Sequence, residues 1–144
     1  MSAVKRNGVA IVGVDPSTAD VLRRQALVVL DANHHFFEEI LSFGPAAQFA
    51  LSVRYRDAFA VLDAVSWARP DVPPASVDVP ITPGLAEQLL TCRYELGHTN
   101  LDRLAMRDAE SDPVVRAEID EAIDVDRAAA IALDRLVARA AAAF

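Results

Sequence analysis

Eight prolines lie in this 144-residue chain, each at a break in the hydrophobic pattern. Proline clashes inside a helix, but it suits the first helical position, where its missing N–H is not needed. Four of the prolines follow a residue that can cap or precede a helix. They are Pro16 after Asp15, Pro45 after Gly44, Pro83 after Thr82 and Pro113 after Asp112. Each of these four prolines is predicted to begin a helix, within a residue or two.

The other four prolines lie in one segment that is predicted to be a non-helical linker. Proline also disfavours the helical conformation of the residue before it, so four prolines within eleven residues exclude a helix. The linker is placed at residues 70–82 and contains Pro70, Pro73, Pro74 and Pro80. At the other end, residues 1–14 form an N-terminal extension with a short Val/Ile run at 9–14. This run is either a disordered tail or a small strand lying on a partner, and no other strand is predicted.

Between these breaks, apolar residues recur on a helical period and predict four long helices. Gly44 alone separates the first two helices, and a tight turn at 111–112 separates the last two, so each pair is expected to form an antiparallel hairpin. The prediction is a single all-α domain, an antiparallel four-helix bundle built from two helical hairpins joined by the proline-rich linker. The predicted helices cover residues 16–43, 45–68, 83–110 and 113–143.

Composition and charge exclude several classes of protein. No apolar run approaches the roughly 20 residues that a transmembrane helix needs, so no membrane association is predicted. A single cysteine, Cys92, permits no intramolecular disulfide, which favours a cytoplasmic location. The net charge of −7 argues against a nucleic-acid partner and against anionic membrane surfaces, since both attract basic proteins.

The helices carry more apolar surface than a four-helix bundle can bury. A bundle needs one apolar stripe on each helix, yet each of the first three helices shows nearly two. Soluble proteins rarely leave large apolar patches in water, so the surplus predicts a homodimer. The leading functional prediction is a non-catalytic protein that acts by self-association or partner binding. On the third helix the two rows are Leu85, Leu89, Cys92 and Leu96, and Leu90, Tyr94, Leu101 and Leu104.

Some polar residues lie where the pattern requires apolar ones. Asp126 falls in the middle of the apolar row of the fourth helix, and Arg93 and Asn100 lie between the two rows of the third. A buried carboxylate must be paired or shift its pKa, so Asp126 is expected to meet Arg93 or Asn100. Asn33 lies in the apolar arc of the first helix. Two interpretations remain: a hydrogen-bonded pair that sets helix register, or a small-molecule or metal site in the core formed by these four residues.

The histidines raise a metal hypothesis. Glu95 and His98 have the Glu-x-x-His spacing that resembles the di-iron carboxylate bundles, and His35 precedes Glu39 by one helical turn. The resemblance implies inward-facing ligands and a second Glu-x-x-His, which this chain lacks. Both pairs fall on polar helix faces, so solvated surface is the alternative, and no cofactor is predicted.

A second short motif suggests a different chemistry. The segment from Arg93 to His98 resembles the Arg-x4-His motif of HEPN-domain ribonucleases, small helical proteins that cut RNA at a dimer interface. The resemblance implies that Arg93 and His98 would be catalytic. Tyr94 stands where that family has a polar residue, and the acidic charge opposes RNA binding.

Overall fold

The computed structural model describes residues 3–35, 44–66 and 76–144, with the side chains of residues 32–35 outside that description. Most of the described residues are helical. The four predicted helix starts are confirmed, because each proline is the first residue of its helix. None of the described helices combines the length and apolar character needed to cross a membrane. The helices are α1 (Pro16–His35), α2 (Pro45–Ser66), α3 (Pro83–Ala109) and α4 (Pro113–Ala143).

Local capping explains why the helices begin where they do. The side chains of Asp15, Thr82 and Asp112 each accept a hydrogen bond from a backbone N–H of the first helical turn, at 2.7 to 3.1 Å. The bond to Asp15 also holds the pKa of that carboxyl below its ordinary value. Gly44 precedes α2 with a φ of 97°, a conformation that glycine adopts without strain. The predicted ends of the first two helices, at residues 43 and 68, lie outside the described residues.

The all-α prediction is wrong in one respect, because the described chain contains a three-stranded antiparallel sheet. Its strand order is β1-β2-β3, with Val4 paired to Ile11 and Val12 paired to Val79. Asn7 and Gly8, both with positive φ, make the turn between the first two strands. The run at 9–14 is therefore a strand in the protein's own sheet. The strands are β1 (Val4–Arg6), β2 (Val9–Val14) and β3 (Val77–Ile81).

The third strand falls inside the segment predicted to be a linker. Its apolar residues alternate, and Val79 and Ile81 are fully buried. Pro80 is compatible with a strand because β3 lies at an edge of the sheet, where a missing N–H is tolerated. The partner β2 is more than sixty residues away in the sequence, so no local pattern could reveal this pairing. Residues 70–75 of the linker lie outside the described residues.

The sheet replaces one side of the expected bundle. As the short connections predicted, α1 packs along α2 and α3 packs along α4. The inner face of the sheet, however, packs against α1, α2 and α4, while α2 and α3 contact each other only sparsely. One continuous apolar core therefore joins the helices to the strands. Its sheet residues are Ala10, Val12, Val14, Val79 and Ile81.

The α3–α4 hairpin extends beyond this core. On α3 the core ends near Leu96, and on α4 it resumes at Ala129. Between these two positions, only Asn100 and Ile123 are buried. We call residues 97–128 the outer arm. It is a pair of helices that pack mainly on each other.

Candidate functional site

Polar side chains connect the two helices of the outer arm. The buried Asn100 donates from Nδ2 to the carbonyl oxygen of Ile123 at 3.2 Å, and its Oδ1 accepts from Nη1 of Arg103 at 3.3 Å. Arg103 also donates to Oδ2 of Asp126 in an ion pair. We call Asn100, Arg103 and Asp126 the polar bridge. It links α3 to α4 through one amide, one guanidinium and one carboxylate.

The polar bridge contains two of the predicted site residues, joined by one that the sequence reasoning missed. Asn100 and Asp126 do not meet directly, because Arg103 lies between them. Its position three residues after Asn100 places it on the same helix face, which was the available signal. Arg93 is elsewhere, with its Nε 3.0 and 3.1 Å from the two carboxylate oxygens of Asp134.

The geometry of the polar bridge supports a structural role over a ligand site. Asn100, Arg103 and Asp126 already bond to groups of the chain itself. These residues line neither of the two clefts described below. The bridge fixes the register of α3 against α4 at a point where few apolar side chains do so. The first of the two interpretations of Asp126 expected a pair with Arg93 or Asn100, whereas Asp126 bonds to Arg103.

Replacing Asp126 with alanine is expected to lower the free energy of unfolding by about 1–2 kcal/mol, measured by urea denaturation. The effect is smaller than the 3–5 kcal/mol typical of a fully buried pair. Water still reaches the pair, since the side chains of Arg103 and Asp126 are 30% and 17% exposed. Asp120→Ala is the matched control, because Asp120 pairs with Arg107 across the same two helices but is far more exposed. Equal losses for both variants would contradict the bridge's role.

The candidate metal ligands are not brought together in the described chain. Glu95 and His98 are exposed on α3. Asn33 and His35 fall in the last turn of α1, and their side chains, like the whole of Glu39, lie outside the described residues. Among the side chains that are described, no group of three or more His, Cys, Asp or Glu could hold a metal ion.

The two residues that resemble the ribonuclease motif point in different directions. Arg93 and His98 are five residues apart, which separates them by about 140° around a helix. The guanidinium of Arg93 faces Asp134 of α4, whereas His98 is exposed. A shared reaction centre would therefore require another chain to bring the two groups together.

A cleft of about 570 Å³ opens between α1, α2 and α3, and the sequence did not predict it. We call it the α1–α2–α3 cleft. One wall is apolar and includes Val29, Phe49 and Val53; α3 supplies polar groups along its first three turns. A cleft of this size, with a few polar groups on an apolar wall, is typical of small-molecule sites.

Asp57 is buried at the edge of this cleft. Its Oδ2 accepts a hydrogen bond from the Thr82 hydroxyl at 2.7 Å, and the Arg56 guanidinium lies 3.4 Å from its Oδ1. Thr82 in turn caps α3, so the carboxylate stabilises the start of that helix. Sequence reasoning missed Asp57. The sequence feature that could have identified it is its spacing: Asp57 lies four residues from both Val53 and Val61, which places a carboxylate in an apolar row.

Gln88 lines this cleft, and its side-chain oxygen has no hydrogen-bond partner among the described residues. The Oε1 atom of Gln88 is buried and accepts no hydrogen bond from the described part of the chain. Leaving a buried acceptor unpaired costs about 1–3 kcal/mol. Cys92, one turn further on, also lines the cleft, and burial raises the pKa of its thiol to about 11. The thiol is therefore neutral near pH 7 and is not an activated nucleophile.

A second cleft, of about 740 Å³, lies where the start of α1 meets α4. One of its two arginines, Arg139, is already bonded within the chain, and a carboxylate occupies the start of α1. Arg139 donates from Nη1 to the carbonyl oxygen of Gly13 at 2.9 Å, and the Asp15 carboxylate already accepts from the backbone N–H of Thr18. A bound anion would have to compete with that carboxylate for the first turn of α1.

The second apolar row of α3 is left largely uncovered. Tyr94 and Leu101 are 59% and 63% exposed, and Leu90 and Leu104 are half-buried. Gly97 completes the row, whose members are spaced by four, three, four and three residues. This is the heptad spacing of helices that pack on a partner helix. We call these five residues the outer row.

No protein-family model, curated protein or solved structure matches this chain.

Proposed function

We propose that this protein is a non-catalytic helical protein that self-associates through the outer row of α3. The observation that carries the proposal is the exposure of Tyr94 and Leu101 within a heptad-spaced row. Such a row gains free energy when a second helix removes it from water, at about 25 cal/mol per Å² of apolar surface. The row contains no charged residue, so covering it removes no charge from water.

Gly97 gives a second reason to expect a neighbouring helix on this surface. A glycine within a helix costs about 1 kcal/mol relative to alanine. Among the described residues, a Cβ at Gly97 would meet only Nη1 of Arg93, at the ordinary contact distance of 3.7 Å, so packing against them does not require glycine here. A helix crossing the outer row at this point would benefit, because two backbones approach more closely where one residue has no side chain.

The outer row suits a second copy of the same chain, because the order of large and small side chains along it is nearly the same from either end. Two large residues precede Gly97 and two follow it. In an antiparallel crossing of two α3 helices about Gly97, Tyr94 lies against the partner's Leu101 and Leu90 lies against the partner's Leu104. A two-fold axis requires this kind of self-complementary surface. We therefore propose a homodimer whose axis passes near Gly97.

The proposed interface would also stabilise the outer arm. Beyond Leu96 the two helices of the arm share little apolar contact, and paired helices with few buried residues are marginally stable. A second copy packed on Leu101 and Leu104 would add apolar contacts where the arm lacks them. Self-association and the stability of the arm are thus expected to depend on each other.

Replacing Leu101 with glutamate is expected to weaken self-association at least about 30-fold, or about 2 kcal/mol. The charge would lie in the apolar interface, where it loses its water. Sedimentation equilibrium of the full chain at micromolar concentration is the measurement. The unmodified protein should have twice the mass of one chain. Because each copy carries a charge of −7, association should strengthen as salt screens the repulsion.

Met106→Glu is the matched control for this experiment. Met106 is on the same helix, is 59% exposed and lies outside the outer row, so its replacement should leave the dimer intact. Gly97→Leu provides a second check, since it should raise helix stability within one chain while preventing the close crossing. A monomeric unmodified protein, or equal effects of the two glutamates, would refute the proposal.

A further inference from the structure

We infer that the proposed homodimer binds one divalent transition-metal ion, such as Zn²⁺, at its two-fold axis through His98 and Glu95 of both copies. This inference rests on the proposed dimer and adds a ligand to the same surface of α3. Three observations support it: the position of His98 beside Gly97, the spacing of His98 and Glu95 on one helix face, and the negative charge that the dimer brings together there.

His98 lies at the edge of the outer row, next to the residue where the two helices are proposed to cross. The outer row fills the a and d positions of a heptad, with Gly97 at d, so His98 takes position e. A two-fold axis perpendicular to both helices keeps a residue on the same side of the contact. The two His98 residues of an antiparallel pair therefore lie on one side of the interface, close to the axis.

The close crossing at Gly97 brings these two imidazoles within reach of one ion. Packed helices have axes about 8–10 Å apart, and a crossing at glycine is expected at the lower end. With about 8 Å between the axes, the Cβ atoms of the two His98 residues are about 7 Å apart. Zn²⁺ binds an imidazole nitrogen at about 2.0–2.1 Å, so one ion between the rings can contact a nitrogen of each.

Glu95 supplies the second ligand of each copy. Residues three apart on a helix are neighbours, so Glu95 and His98 share one face of α3. Both side chains are exposed, and no described residue forms a hydrogen bond or an ion pair with either. One copy thus offers two ligands, too few for a closed site, whereas two copies offer the four that tetrahedral zinc takes. The second copy supplies the second Glu-x-x-His that a single chain lacks.

The charge of the dimer favours a cation at this point. Each copy has a net charge of −7, and Asp102, one turn after His98, adds a further exposed carboxylate to the same face. Glu95 and Asp102 of both copies therefore surround the two imidazoles with carboxylates. Like charges repel across an interface, and a divalent cation held between them replaces that repulsion with attraction. Zn²⁺ accepts both imidazole nitrogen and carboxylate oxygen, whereas Mg²⁺ takes oxygen ligands and keeps much of its water.

The test measures dimerisation of the full chain by fluorescence-detected sedimentation over a series of protein concentrations. Three conditions of equal ionic strength are compared: EDTA, Zn²⁺ and Mg²⁺. A ligand that binds only the dimer strengthens association according to its occupancy. We expect Zn²⁺ to lower the dissociation constant of the dimer at least about tenfold relative to EDTA, and Mg²⁺ to change it less than about twofold. Equilibrium dialysis should give one zinc ion per two chains.

Variants assign the zinc effect to the inferred ligands. The quantity compared is the ratio of the dimer's dissociation constant in EDTA to that in zinc. His98→Ala should bring this ratio to about one, and Glu95→Gln should reduce it at least about threefold. Glu118→Gln is the matched control, since it makes the same chemical change on an exposed residue of α4 and should leave the ratio unaltered.

The outcomes separate this inference from the proposed dimer. A dimer that forms equally well in EDTA and in zinc, an equal effect of Mg²⁺, one zinc ion per chain, or an unaltered ratio in His98→Ala would overturn the inference and leave the proposed dimer standing. A chain that stays monomeric in both EDTA and zinc would refute the dimer and the metal site together.

Discussion

Replacing Leu133 with alanine is expected to lower the free energy of unfolding by about 3–5 kcal/mol, the largest single effect we predict. Leu133 is fully buried, and it lies in the half of α4 that packs on the core shared by the helices and the sheet. The substitution removes three carbon atoms and leaves a cavity that rigid neighbours on several elements cannot fill. Denaturant unfolding followed by circular dichroism measures the loss.

The control for this prediction is Leu27→Ala on α1. Leu27 is 54% exposed, so the same chemical change there removes little buried surface and should alter stability by no more than about 1 kcal/mol. A large loss for Leu27→Ala would mean that this part of α1 is covered in solution. A small loss for Leu133→Ala would mean that the core is not packed as the structure shows.

Replacing Thr82 with valine is expected to cost about 2–3 kcal/mol, although valine has nearly the same shape. The Thr82 hydroxyl accepts from the backbone N–H of Leu85 at 3.1 Å and donates to the carboxylate of Asp57 at 2.7 Å. Valine therefore removes a helix cap, worth about 1 kcal/mol, and leaves a buried carboxylate without its main donor. Thermal or denaturant unfolding of the single variant gives the cost.

Thr82→Ser retains the hydroxyl and should cost less than about 1 kcal/mol, which separates hydrogen bonding from packing. Asp57→Asn provides a further comparison, since an amide oxygen can still accept from Thr82 without carrying a charge. If Thr82→Val and Thr82→Ser prove equally stable, the bond between Thr82 and Asp57 contributes nothing. The start of α3 would then depend on Pro83 and on apolar packing alone.

The sequence could predict the polar candidates only in part. Heptad spacing correctly placed Asp126 on the α4 face that meets α3, and it placed Asn100 on the matching face of α3. It paired Asp126 with Arg93 as one possibility, but Arg93 bonds to Asp134 instead. The choice between two arginines depends on the relative shift of the helices along each other, which the sequence of either helix alone does not contain.

The cleft was missed for the same physical reason. Its walls come from three helices, so Asp57 and Gln88 line the same cleft only once those helices have packed together. A helical pattern shows that Asp57 interrupts a row of valines. It does not show that Thr82, twenty-five residues later, supplies the hydrogen bond that makes this burial possible.

Sequence patterns alone were enough to predict where the helices begin, that α1 pairs with α2 and α3 with α4, and that α3 carries two apolar rows. These are local properties: a cap acts within about three residues, a proline acts on its neighbours, and a short turn brings two helices together. The pairing of β2 with β3, in contrast, became apparent only from the assembled fold. That pairing joins hydrogen-bonding groups more than sixty residues apart, and a five-residue strand containing Pro80 has too few side chains to indicate its partner.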